Sequence, residues 1–98
     1  MSILSKKQRL FLKKMSHHLK PVVMVGQAGL NNNIMHEVDI TLEKHELIKI
    51  KVTGTDKSER TSMTASIAEQ SNASLIHQIG HMSILYRQSK KNPQIALP

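Results

Sequence analysis

From Pro21 to Val25 the chain reads PVVMV, an apolar run that stops at Gly26 and lies between two stretches whose apolar residues recur at helical spacing. A short, mostly β-branched run bounded by proline and glycine is a strand, and its unbroken apolar character predicts burial within a sheet. Helices on both sides of such a strand imply crossover connections, which restricts the chain to an α/β arrangement.

The neighbouring segments fill in that arrangement. Upstream, Ser5 and Gln8 have the spacing of a capping box, and Phe11, Leu12, Met15 and Leu19 share one side of a helix. Lys6, Arg9, Lys13 and His17 fall opposite, flanked by Lys7, Lys14 and His18, while Leu10 sits alone among the basic residues. The helix should end near His18 or Leu19, because the residue before Pro21 avoids the helical region. Downstream, Asn31 or Asn32 caps a second helix with Ile34, Met35, Val38 and Leu42 as its stripe. In ELIKIKV (46–52), Ile48, Ile50 and Val52 face one way and Lys49 and Lys51 the other, as in a strand with one core face. Asp56 and Glu59 repeat the capping spacing before a third helix, whose stripe of Met63 and Ile67 with Ala68 is thin. ASLIHQI and MSILYR then flank Gly80-His81 as a hairpin.

The predicted order is α-β-α-β-α-β-β: a four-stranded mixed sheet with three helices in one α/β layer pair. Residues 1–98 are read as a single domain with a basic C-terminal tail, 88–98, whose Ile95 and Leu97 are candidates for docking. With no cysteine, neither a disulfide nor a thiolate metal site is available. No signal-peptide core or membrane-length apolar run occurs, so the expectation is a soluble, cytoplasmic protein.

Charge narrows the function. The formal net charge is +7. Residues 1–36 carry six Lys/Arg and no acid, residues 37–69 hold all seven acids, and residues 70–98 add three basic residues and no acid. If the two basic ends meet in the fold they present a positive surface, and nucleic acid is the usual partner of such a field. Gly26-Gln27-Ala28-Gly29 falls where the first strand hands over to the second helix. A Gly-x-x-Gly loop there brings backbone amides and the positive end of a helix dipole to one place, an arrangement suited to phosphate. KH domains clamp a nucleic-acid backbone with such a loop. The Gly-Lys-Ser/Thr ending of a P-loop and the third glycine of a dinucleotide fingerprint are absent.

Three segments, LKPVVMVGQAGL (19–30), HELIKIKV (45–52) and IGHMSILYR (79–87), in that order and spacing, resemble the CRM domain family (chloroplast RNA splicing and ribosome maturation), in its stand-alone bacterial YhbY-type form. The resemblance runs along nearly the whole chain. It implies a fold similar to the C-terminal domain of translation initiation factor three. It also implies RNA binding through the GxxG loop and the basic surface beside it, and association with precursors of the large ribosomal subunit. Carried over by position, the loop is Gly26, Gln27, Ala28 and Gly29. Family members often place a basic residue after the first glycine; here it is Gln27, so neighbouring lysines must supply the charge.

The composition speaks to the kind of contact. Phe11 and Tyr86 are the only aromatic residues, and packing is the default role of both. A platform for stacking unpaired bases cannot be built from them. Lysine outnumbers arginine eleven to three, favouring point-charge contacts to phosphate and ribose over base reading. Lys6, Arg9, Lys13 and Lys20, joined by Lys49 and Lys51 from the sheet, are the candidate contacts to structured RNA.

A catalytic reading finds no nucleophile-elbow serine and no converging acid pair, the acids being assigned to polar helix faces. His17 and His18 point about 100° apart on a helix. His45 lies on the apolar side near a helix end, where a satisfied or dipole-stabilised histidine is far commoner than a ligand. His77 and His81 have no carboxylate motif beside them. No enzyme activity, cofactor, metal or small-molecule substrate is expected. The alternative reading is an adaptor for an acidic protein partner. The hot-spot residues Trp, Tyr and Arg number none, one and three, and leave room only for weak additional contacts such as ribosomal proteins.

Overall fold

The computed structural model describes residues 3–26, 29–53 and 56–98. The elements follow the expected order: α1 (Lys6–Ser16), β1 (Pro21–Val25), α2 (Asn32–His45), β2 (Leu47–Val52), α3 (Lys57–Gln70), β3 (Ser74–Ile79) and β4 (Met82–Tyr86). One mixed sheet contains all four strands in the order β1-β2-β4-β3, with β1 parallel to β2 and the other pairings antiparallel. The turn at Gly80 has φ +57°, a conformation glycine adopts without strain.

Alternation along β2 separates two cores. Ile48, Ile50 and Val52 join Val23, Val25, Val38, Leu42, Ile67 and Leu85 beneath α2 and α3. Leu47 faces the other way, into a smaller cluster with Leu12, Ile84 and Tyr86 beneath α1. The helices therefore lie on both faces of the sheet, correcting the expected single layer pair. Local periodicity records which side of a helix is buried but not which face of a sheet receives it.

β1 departs from its expected burial in a related way. It is an edge strand: Val23 and Val25 are fully buried, whereas Val22 and Met24 on the α1 side are 41% and 61% exposed. An apolar run with no alternation reads as buried on both faces, but α1 reaches over β2, β3 and β4 and leaves this part of β1 open.

Each predicted cap forms. Ser5 Oγ accepts from the Gln8 N–H at 3.1 Å while Gln8 Oε1 accepts from the Ser5 N–H at 2.9 Å. Asn31 Oδ1 accepts from Ile34 N–H and Asp56 Oδ1 from Glu59 N–H. The buried line of α1 is centred on Leu12 and Ser16, so Phe11 and Met15, expected in its apolar stripe, lie half-exposed on one flank at 37% and 38%. Ser16 is tolerated inside because its Oγ donates to the Lys13 carbonyl at 2.6 Å. In α3 the sparse stripe is completed by buried Thr64, whose hydroxyl bonds that of Ser83 on β4 at 3.1 Å.

The tail docks through two carboxylates. Glu46, at the end of α2, has φ 67° and is fully buried. Its Oε1 accepts from the N–H groups of Gln94 and Ile95, and its Oε2 from that of Ser89, each at 2.7 Å. Glu43 accepts from the Ser89 hydroxyl and from the N–H groups of Lys90 and Lys91. These bonds, led by the one from Ser89, lower the Glu43 pKa from 4.5 to about 2. Ile95 and Leu97 pack on the smaller core, as their place in the tail allowed. Arg87, half-buried, ties the start of the tail to α2 through an ion pair with Asp39 at 2.7 Å. Glu46 thus corrects the assignment of all acids to polar helix faces.

Candidate nucleic-acid interface

Strand register places the two sheet lysines. Lys49 and Lys51 alternate with core residues on β2 and project on the α1 side, where the row Met24, Lys51, Met82, Ile79 crosses all four strands. In that row Met24 is 61% and Ile79 67% exposed, so the half of the sheet nearest Gly26 is uncovered. The next row holds Lys49, Ile84 and His77. The α1 helix packs against β3, and burial, then the charges of Lys13 and His17, hold the His77 imidazole below its ordinary pKa.

Four of the predicted cations consequently border one face. Lys49 and Lys51 stand on the open sheet, Lys13 lies on the α1 edge beside His77, and Lys20 is exposed just before β1. Arg9 is elsewhere: its Nη1 donates to the Leu75 carbonyl at 3.0 Å, at the opposite end of β3. At about 3.3 Å per residue, Leu75 lies roughly 13 Å from the Ile79 row. Lys6, nearly a turn before Arg9, is exposed on that same distant part of α1. Arg9 and Lys6 thus lie away from the Lys51 row, with Arg9 one helical turn from Lys13.

Gly26 meets this face at the end of β1. Gly26 is exposed, and a Cβ added there would find nothing within 4 Å. Gly29 has φ +77°, which favours glycine on conformational grounds, and its N–H donates to the Gly26 carbonyl at 3.0 Å. One amide of the expected cradle is therefore already engaged. Gln27 and Ala28, predicted as loop contacts, lie outside the described residues.

Tyr86 is only 5% exposed; burial, then the charge of Glu46, raises its pKa. It is a core residue. Among the described residues no three His, Asp or Glu side chains form a group that could hold a metal ion, and no helix is long and apolar enough to cross a membrane. The residues that sequence reasoning missed are Met24, Met82 and Ile79. Each reads as ordinary core in its own strand, and only the cross-strand register sets them beside Lys51.

Comparison with known proteins gives concordant results. The family model for the CRS1/YhbY (CRM) domain matches residues 4–87. A Haemophilus influenzae protein named as an RNA-binding protein is 42% identical over 98 residues, covering 100% of this chain and 98% of its own. A Bacillus subtilis protein named as a probable RNA-binding protein, YqeI, is 35% identical over 96 residues, covering 98% of this chain and 100% of its own. The solution structure of a Staphylococcus aureus protein superimposes with a TM-score of 0.84 at 33% identity, covering 98% of this chain and 100% of that one.

Proposed function

The chain belongs to the CRS1/YhbY (CRM) domain family, and from that premise we propose that it is a non-catalytic RNA-binding protein acting on structured RNA in the cytoplasm. The observation that carries the reading is the placement of Lys49 and Lys51 on an uncovered sheet face. Lys13 and Lys20 border that face, and Gly26 lies at one end of it. Point charges in this arrangement suit phosphates, and the core position of Tyr86 fits backbone contact rather than stacking on an aromatic platform.

Gly26 gains its meaning here. Its own fold has space for a side chain, so the missing Cβ serves an approaching partner instead. The bare Gly26 backbone and the positive end of the α2 dipole favour a sugar–phosphate segment at that point, with Gln27, Ala28 and Gly29 as further contacts. Lys6 and Arg9 act at longer range, adding to the field that draws RNA in. Precursors of the large ribosomal subunit are the proposed target, and ribosomal proteins are additional weak contacts within that particle.

A salt titration tests the core of this reading. Releasing counterions from about four phosphates gives a slope of log K against log salt near −3. Lys49→Glu/Lys51→Glu should weaken binding at every salt concentration and flatten the slope. A slope shallower than about −1, or a double variant that binds like the parent, rejects the interface. Crosslinking in cells tests the target: attached transcripts should be dominated by large-subunit ribosomal RNA, and signal concentrated elsewhere rejects that assignment.

A further inference from the structure

Beside the open sheet lies a cavity whose interior the proposed phosphate contacts do not fill. It has a volume of about 470 Å³ and sits between the end of α1, the β1–β2 edge and the docked tail. Leu19, Val22 and Leu47 contribute apolar surface, while Lys20 and Lys49 contribute cations. The imidazoles of His18 and His45 stand in the same wall, and no carboxylate is among the described residues lining it.

We propose that this cavity receives one unpaired nucleotide extruded from the bound RNA. The inference rests on the RNA-binding reading above and adds to it a preference for a bulge or flipped residue. The volume falls within the ~300–1,000 Å³ range of small-molecule pockets. Apolar walls take the faces of a base, and histidine rings supply the planar surface that the missing exposed aromatics would otherwise provide. The phosphates on either side of the extruded residue remain outside, within reach of Lys20 and Lys49. Those lysines belong both to the cavity and to the proposed interface, so a strand following Lys51, Lys49 and Lys20 crosses the cavity mouth. A wall carrying only cationic and neutral groups selects a polyanion-borne guest over a cationic or zwitterionic one. Docking of the tail completes the site, since Gln94 and Ile95 form its outer side.

The test compares two RNA hairpins that differ by a single bulged uridine, using the full chain at fixed salt. The bulged hairpin should bind about tenfold more tightly, in line with the value of accommodating one base. Val22→Trp, placed on the exposed edge strand to fill the cavity, should reduce that preference to about twofold or less. A 4-thiouridine at the bulge provides a second measurement that does not depend on the variant folding: its photocrosslink should map to residues 15–22, 45–49 or 94–95. Equal affinity for the two hairpins, a Trp variant that keeps the preference, or a crosslink confined to other segments overturns the cavity assignment while leaving backbone binding intact. Failure to bind either hairpin overturns the RNA reading itself, and the two failures are thus distinct.

Discussion

Replacing Glu46 by glutamine isolates the device that holds the C-terminal tail. The change preserves shape and removes one acceptor oxygen. In the native protein Oε1 serves Gln94 and Ile95 and Oε2 serves Ser89, all at 2.7 Å, inside a fully buried carboxylate. A carboxamide has one oxygen and one NH₂ group, so its NH₂ must confront either the Ser89 N–H or the Gln94–Ile95 pair. With the amide turned to spare the pair, one hydrogen bond to a charged acceptor disappears, a loss of about 1.5–3 kcal/mol, and a buried donor faces another donor. The two surviving bonds also lose charge assistance. The total is about 2–4 kcal/mol if the tail stays docked.

Undocking sets a ceiling on that figure. Residues 88–98 can detach and hydrate their amides, so the cost cannot exceed the free energy of docking the tail. Urea unfolding of Glu46→Gln and the parent gives the global change, and hydrogen exchange at the Ser89, Gln94 and Ile95 amides reports the local one. Protection at all three should fall together, with a global loss between about 1 and 4 kcal/mol. Stability within about 0.5 kcal/mol of the parent together with unchanged protection at those amides would refute the clamp.

Three further outcomes are expected. Because Glu43 is depressed to about 2 from 4.5, its contribution to holding the tail is complete above pH 4.5 and is lost as pH falls through about 2; Glu43→Gln should remove that part of the pH dependence of exchange at Lys90 and Lys91, and an unchanged profile counts against the assignment. At Gly29, with φ +77°, alanine and aspartate should each lower stability by about 1 kcal/mol, but aspartate should weaken RNA binding about fivefold more than alanine by repelling phosphate; equal affinities would remove the loop from the interface. For the buried Thr64–Ser83 hydroxyl pair, Thr64→Val and Ser83→Ala should each cost about 1–2 kcal/mol and the double variant less than their sum, since each single change leaves a hydroxyl without its partner; strict additivity in urea melts would argue against the pair.

Much of this architecture is legible before folding because its causes are local. The capping box at Ser5–Gln8, the caps at Asn31 and Asp56, the alternation of Ile48, Ile50 and Val52 with two lysines, and the turn at Gly80 each depend on a few consecutive residues. Together they determine the element order and that two lysines share a sheet face. Assembly decides the remainder. The coverage of that face depends on where α1 crosses the sheet, and this left Met24 exposed while burying Tyr86. The placing of Lys20 beside Lys49, and the distance of Arg9 from Lys51, come from assembly and from a guanidinium drawn to the Leu75 carbonyl. Glu46 looks like one more surface acid until residues far along the chain bring it three backbone donors. Short-range periodicity specifies which side of an element is apolar. Which neighbour covers that side, and what is left open to a partner, is set by contacts between residues distant in sequence.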